Sequence, residues 1–244
     1  MKKHLIILFF SIYSFSQKSG EIFYHIKIEN DTTIKNNSIK KILNSAVKGS
    51  DYLVFSLKFN DSISKFELLD FMEINESKDV EIALSWCNYI NPIYMNSFLK
   101  KIFFFTENKY GMFKKNEFLV IKEYYNDWLI YNESKIINGF TCYKSEYTLK
   151  SINRKGKEVK RIVTAWFCPE LPYSFGPNGY CGLPGLILEL QDKNITYGVK
   201  KIEFKKNNIE IPESTKKIEF NEYENILKQR ILKQKTKVED KKQN

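Results

Sequence analysis

The sequence predicts a mainly β chain: an antiparallel meander forming a curved, partly closed barrel or sandwich, with a short helix near each end. Three observations predict it. Short runs of alternating apolar and polar residues recur through most of the chain, broken by Asn-, Asp- and Gly-containing turns. Aromatic residues make up 15% of the sequence, alongside many isoleucines, a composition suited to strands. Successive strands lie too close together for crossover helices, which argues against βαβ units.

Glu21 to Ile28 places Ile22, Tyr24, Ile26 and Ile28 on one side and Phe23, His25 and Lys27 on the other, the period of a strand. Residues 36–48 carry Ile39, Ile42, Leu43, Ala46 and Val47 at helical spacing. Asp51 to Phe59 and Ser62 to Met72 read as strands joined at Asn60-Asp61. Asn75 to Lys78 reads as a polar loop, and Trp86 to Leu99 is ambiguous. Further strands are predicted at Lys101 to Thr106, Gly111 to Lys115, Phe118 to Tyr125, Trp128 to Asn132, Phe140 to Leu149 and Val159 to Phe167. Pro169 to Gly185 is a proline-rich structured loop. Leu186 to Gln191 and Tyr197 to Phe204 make a last hairpin, and Tyr223, Ile226, Leu227 and Ile231 mark a C-terminal helix. A twisted sheet of this size must close, double over or be covered on one face.

The most distinctive segment is Cys181-Gly182-Leu183-Pro184-Gly185-Leu186-Ile187-Leu188-Glu189-Leu190. Pro184 and Gly185 predict a type II turn, with Gly185 at positive φ, feeding a half-buried strand. Upstream stand Trp128-Leu129-Ile130, Glu133, Lys135-Ile136, Gly139-Phe140-Thr141-Cys142 and Lys144, then Ala165-Trp166-Phe167, Pro169-Glu170-Leu171-Pro172 and Gly176-Pro177. Together these resemble the GLPGLI family, exported proteins of Bacteroidetes-type bacteria, over about residues 110 to 205. The resemblance implies export and a β-rich fold, and carries over no catalytic residues. Asn178 stands where the family has an aromatic, and Cys168 and Cys181 where many members have other residues.

Residues 1–16 have the form of a secretory signal peptide: Lys2 and Lys3, an apolar stretch from Leu5 to Ile12, and Ser14-Phe15-Ser16 before Gln17. The apolar run is short of the ~20 residues that a spanning helix requires. The expected organisation is a single β-rich domain over 17–226 and a basic, flexible tail over 227–244. The expected location is the periplasm or the cell exterior.

The net charge of +10 does not point to nucleic acid. Only Arg154, Arg161 and Arg230 are arginines; the other basic residues are lysines, the poorer group for bidentate phosphate contacts. Half of the excess lies in the tail, which reads as a solvated segment.

Reactive groups are scarce. His25 is the only histidine after the leader and falls in a strand, leaving neither a triad nor a multi-histidine zinc site a basis. No metal or cofactor is expected. Cys87, Cys142, Cys168 and Cys181 contain no C-x-x-C pair, so disulfides are the expectation for an exported chain. Of three pairings, Cys168–Cys181 is favoured because both flank one loop, leaving Cys87–Cys142. Trp166, Tyr173, Phe175, Tyr180, Leu183, Pro184 and Gly185 are the candidate binding residues, the loop tyrosines and Phe175 as an exposed recognition surface. The expected function is that of a non-enzymatic envelope protein presenting this loop to an outer-membrane or periplasmic protein, a peptide or an apolar ligand. The alternative is a hydrolase using Glu170 and Glu189 with a nearby tyrosine.

Overall fold

A computed structural model describes residues 19–69, 77–89, 91–107, 113–152 and 158–243. The expected leader, residues 1–16, lies outside the described residues, as do Arg154 and parts of the predicted strand at 111–115 and of the loop at 75–78. In chain order the elements are β1 (Gly20–Ile28), α1 (Asn37–Ser50), β2 (Val54–Phe59), β3 (Ile63–Leu68), α2 (Lys78–Trp86), β4 (Ile93–Asn96), β5 (Lys101–Phe105) and β6 (Leu119–Glu123). There follow β7 (Leu129–Ile137), β8 (Phe140–Ile152), β9 (Glu158–Cys168), β10 (Leu186–Asp192), β11 (Ile195–Glu203), β12 (Lys217–Glu219) and α3 (Phe220–Gln243). Among the described residues no helix is long and apolar enough to cross a membrane.

The chain is mainly β, and the twelve strands among the described residues form one sheet in the order β12-β6-β5-β4-β3-β2-β1-β11-β10-β9-β8-β7. Every pairing is antiparallel except β12 with β6. The end strands β12 and β7 do not pair, so the sheet is open and the expected barrel closure is not made. It is nevertheless bent. β6 lies next to one end and β7 is the other end, yet only residues 124–128 connect them, a span of about 20 Å when fully extended.

Register defines the two faces. Ile26, Tyr197, Leu190, Ala165 and Ser145 form one row across β1, β11, β10, β9 and β8, and all are buried. This inner face also carries Tyr24, Phe55 and Phe66; the Phe55 and Phe66 rings stack at 5.0 Å. The adjacent row, Val54, His25, Gly198, Glu189, Trp166 and Lys144, points outward. His25 is exposed there, away from the core.

α1 forms as its spacing predicts. The Asn36 side chain accepts hydrogen bonds from the Ser38 and Ile39 N–H groups at 2.9 and 3.2 Å, capping the helix, while Leu43 and Ala46 are buried. α2 was hidden in the sequence: only Val80 and Ala83 are buried on its nine residues, too thin a stripe to register as periodic. Residues 113–115 are not a strand, because the Phe113 side chain instead anchors α3, stacking on Tyr223 at 5.3 Å. α3 is long rather than short and begins at once after β12, a strand too brief to show in the sequence.

Candidate functional site: a cleft behind the 169–185 loop

The loop from Pro169 to Gly185 turns inward. Gly182 takes a φ of +98°, and a Cβ there would lie 2.1 Å from the Tyr125 carbonyl oxygen. Gly185 is not at positive φ; the turn expectation placed the left-handed residue three positions late. Gly185 is needed for space, since a Cβ would stand 2.2 Å from the Cys168 carbonyl oxygen. β10 is correspondingly not half-buried: Leu186, Ile187 and Leu188 are all buried, with the loop on Ile187 and the Tyr24 hydroxyl donating to the Ile187 carbonyl at 2.5 Å.

The seven candidate binding residues do not share a surface. Phe175 and Leu183 are buried in the core, and Tyr173 is half-buried against Phe59 at 4.7 Å. Trp166 lies on the outer face beneath the Lys135 ammonium, Pro184 is exposed, and Gly185 is closed in by Cys168. Tyr180 is buried too, yet its hydroxyl reaches the Asp192 carboxylate at 2.8 Å and leads to a cavity that sequence reading did not find. A proline- and glycine-rich loop with aromatics looks exposed in sequence; here its rings are the material that covers the inner face.

Glu170 is exposed and accepts a 3.4 Å hydrogen bond from the Thr141 N–H, whereas Glu189 pairs with Lys135 at 2.8 Å on the outer face. Neither lines the cavity. The four cysteines are free thiols, and the favoured pairings are absent. Cys168 faces Cys142, Cys181 faces the Tyr125 backbone, and Cys87 faces Tyr197, because adjacent positions in a loop do not dictate where side chains point. No cluster of three or more metal-ligating side chains occurs among the described residues.

The cleft has two compartments that share Asn88, Lys122, Tyr125, Asn178 and Phe220. One, of ≈ 360 Å³, is the more polar and carries Arg161, Asp192, Tyr180 and Glu224. The other, of ≈ 310 Å³, is walled by Ile93, Ile102, Phe104 and Tyr223. Each is at the lower end of the size range of small-molecule sites.

Lys122 stands at the junction. Register carries it onto the inner face in the row Phe59, Ser64, Met95, Ile102, Lys122. Its ammonium donates to the Tyr125 hydroxyl at 2.7 Å and lies 4.3 and 4.9 Å from the Tyr125 and Phe220 ring centres. Among the described residues no carboxylate forms an ion pair with it, and Glu224 acts on it only at longer range. Burial lowers its pKa from the ordinary lysine value.

The partly buried charge beside Lys122 is satisfied internally, while Lys150 and Lys193 reach the same compartment from exposed positions. Arg161 holds Asp192 through two parallel hydrogen bonds of 2.7 and 2.9 Å, the strong bidentate form. Tyr125 stacks on Tyr180 at 5.0 Å, and the Trp128 indole N–H donates to the Cys181 carbonyl at 2.9 Å, fixing the 124–128 link to the loop. α3 closes the opposite side. Arg230 grips Glu117 at 2.9 and 3.0 Å, and this guanidinium pulls the Glu117 carboxyl down to a pKa of about 2. One sequence signal was available: of the three arginines, Arg161 is a bidentate clamp in this cleft and Arg230 a second one that holds α3 to Glu117.

A family model described as "Protein of unknown function (Porph_ging)" matches residues 150–189. Among solved structures the chain is similar to "Structure of PNGF-II in P21 space group", at TM-score 0.53 and 12% identity over 87% of this chain and 34% of that one. It is likewise similar to "Structure of PNGF-II in C2 space group", at TM-score 0.51 and 10% identity over 87% and 33%. The chain spans about a third of the length of these structures, and at such identity the likeness is one of fold alone. No curated protein matches. The segment containing β9, the inward loop and the start of β10 is therefore similar to a Bacteroidetes-associated family of unknown function.

Proposed function

We propose that this is an exported GLPGLI-type envelope protein, acting in the periplasm or outside the cell, that binds a small amphiphilic acid without transforming it. The curved sheet serves as a partly closed barrel. Its loop is a plug that shapes the cleft, not a surface offered to a partner. One observation carries the reading: the Lys122 ammonium, without a carboxylate partner among the described residues, stands where a more polar compartment meets a more apolar one. A ligand carboxylate would sit against Lys122 while an acyl or aromatic body fills the space among Ile93, Ile102 and Phe104. A charge-assisted hydrogen bond of this kind contributes about 1.5–3 kcal/mol, roughly ten- to a hundredfold in affinity.

Titration calorimetry on the purified chain with octanoate, octanol and octylamine tests this. Octanoate is expected to bind best, with Lys122→Met removing its advantage over octanol without lowering the melting temperature. Equal binding of all three, or octanoate affinity unchanged in Lys122→Met, would overturn the proposal.

A further inference from the structure

We propose that Cys142 and Cys168 form a cross-strand disulfide when the chain folds in the presence of a disulfide oxidant, tying β8 to the root of the inward loop. The pairing follows from register. β8 and β9 pair Tyr143 with Phe167 and Lys144 with Trp166, so the next residues outward, Cys142 and Cys168, stand directly opposite. The same row continues to Lys135 on β7 and Leu186 on β10.

Opposite residues in antiparallel strands alternate between hydrogen-bonded and non-hydrogen-bonded pairs, and only the second brings side chains close. The Thr141 N–H is directed past β9's end to Glu170, so residues 141 and 143 turn their backbone groups toward β9 and Cys142 turns its own toward β7. On the other strand the Cys168 carbonyl points to the β10 side, where it crowds Gly185. Both observations make Cys142–Cys168 a non-hydrogen-bonded pair. Cα atoms in such a pair lie about 4.5 Å apart, inside the range that a disulfide spans.

Their surroundings reinforce the geometry. Both thiols are wholly buried and face each other, and the Cys142 thiol also points to the Phe140 carbonyl at 3.7 Å. The Cys142 thiol beside it, and then the backbone N–H groups of Leu171 and Glu170, favour a thiolate at Cys168 and lower its pKa. Cys87 faces Tyr197 and Cys181 the Tyr125 backbone rather than a second thiol, and burial raises both. Neither sequence-favoured pairing has this arrangement.

The chemistry balances with glutathione disulfide as oxidant. The Cys168 thiolate attacks one of its sulfurs, releasing one glutathione thiolate and leaving a mixed disulfide. Cys142 then gives its proton to solvent, and its sulfur displaces the second glutathione from Cys168. The protein pair loses two electrons, and one disulfide becomes two glutathione thiols. Burial of both sulfurs places this exchange during folding, before the Glu170–Leu171 backbone closes on Cys168.

The test is to refold the full chain in a glutathione redox buffer, alkylate, and map cross-links in a nonreduced digest. Cys168 and Cys181 share one tryptic peptide, so a second protease cutting after Tyr173 or Phe175 is required. The expected product joins Cys142 to Cys168, with Cys87 and Cys181 alkylated. Its melting temperature is expected about 5–10 °C above that of the reduced chain, a difference absent in Cys142→Ala and kept when Cys87 and Cys181 are both replaced by alanine. Bonds between Cys168 and Cys181 or between Cys87 and Cys142, or four alkylated thiols after oxidative refolding, would overturn the proposal. The wild-type map decides the matter even where a variant fails to fold.

Discussion

Lys135 and Lys122 each lie 4.3 Å from an aromatic ring centre, over Trp166 and Tyr125 respectively, yet their electrostatic situations are opposite. Lys135 is on the outer face and pairs with Glu189 at 2.8 Å, both side chains about a third exposed. Lys58, Lys65 and Lys144 on other parts of the sheet, and Lys205 just beyond β11, likewise meet glutamates. Lys122 has rings and a phenol hydroxyl instead. The difference teaches that basicity alone marks no site in this lysine-rich chain. What distinguishes the cleft is one cation that burial has separated from a counter-ion.

The most damaging change should be Gly182→Ala. It imposes a positive φ on a residue with a Cβ and drives that Cβ into the Tyr125 carbonyl, with an expected cost of about 3–4 kcal/mol. Displacing Tyr125 dismantles the surroundings of Lys122, while the Lys135–Glu189 pair on the other face is untouched. Urea unfolding gives the cost, and retention of full stability would show that the 124–128 link yields without consequence.

Asp192→Asn comes next. It removes the counter-charge of Arg161 and an acceptor of the Tyr180 hydroxyl, costing about 2 kcal/mol in this partly exposed pair. It also leaves the Arg161 guanidinium without its carboxylate in the polar compartment, so octanoate affinity should rise by roughly tenfold. Weaker octanoate binding in this variant would mean that Arg161 and Lys122 do not act on the same ligand group.

Lys122→Met and Lys135→Met form the sharpest pair because opposite signs are expected. Removing the desolvated Lys122 charge should stabilise the fold by about 1 kcal/mol, whereas removing Lys135 should destabilise it by at most about 1 kcal/mol. Thermal melts of the two variants beside the wild type suffice, and shifts of the same sign would erase the contrast.

How much of this was legible in the sequence divides along the same line. Local alternation exposed β1, β5 and the β10–β11 hairpin, and helical spacing exposed α1, because neighbours in sequence decide those periods. The Asn60 turn was legible too: its side chain accepts from the Ser62 and Ile63 N–H groups, as an Asx turn requires. The importance of Gly182-Leu183-Pro184-Gly185 was visible, but its reason was not, since the contacts that demand glycine are the carbonyls of Tyr125 and Cys168, distant or turned back in the chain. Lys122 gave no sign because an inward lysine and an outward one read alike in Leu119-Val120-Ile121-Lys122. Only the row linking β6 through β5 and β4 to β3 assigns its face. The cysteines failed for the same reason: Cys142 and Cys168 meet through a register that no spacing rule contains.

The smallest expected effect concerns pH. Burial lowers the Lys122 pKa in the fold, against about 10.4 in the unfolded chain. Between those two values the unfolded chain binds more protons than the folded one, so stability rises with pH across that window. Below the lowered pKa the penalty of the buried ammonium is fully present; above the unfolded value it is gone. The neighbouring Tyr125 and Tyr147 have raised pKa values, also from burial first, and they oppose this trend at higher pH because the unfolded chain ionises them earlier. The measurement is therefore the difference between wild type and Lys122→Met in urea at pH 8 to 10, which cancels the tyrosines to first order. The stabilising advantage of the methionine variant should shrink as pH rises. Bound octanoate should reverse the order at pH 8, since a carboxylate beside Lys122 raises its pKa and restores the counter-ion that the fold omits. A constant difference across the range, with or without octanoate, would place the ammonium in solvent and return Lys122 to the class of Lys135.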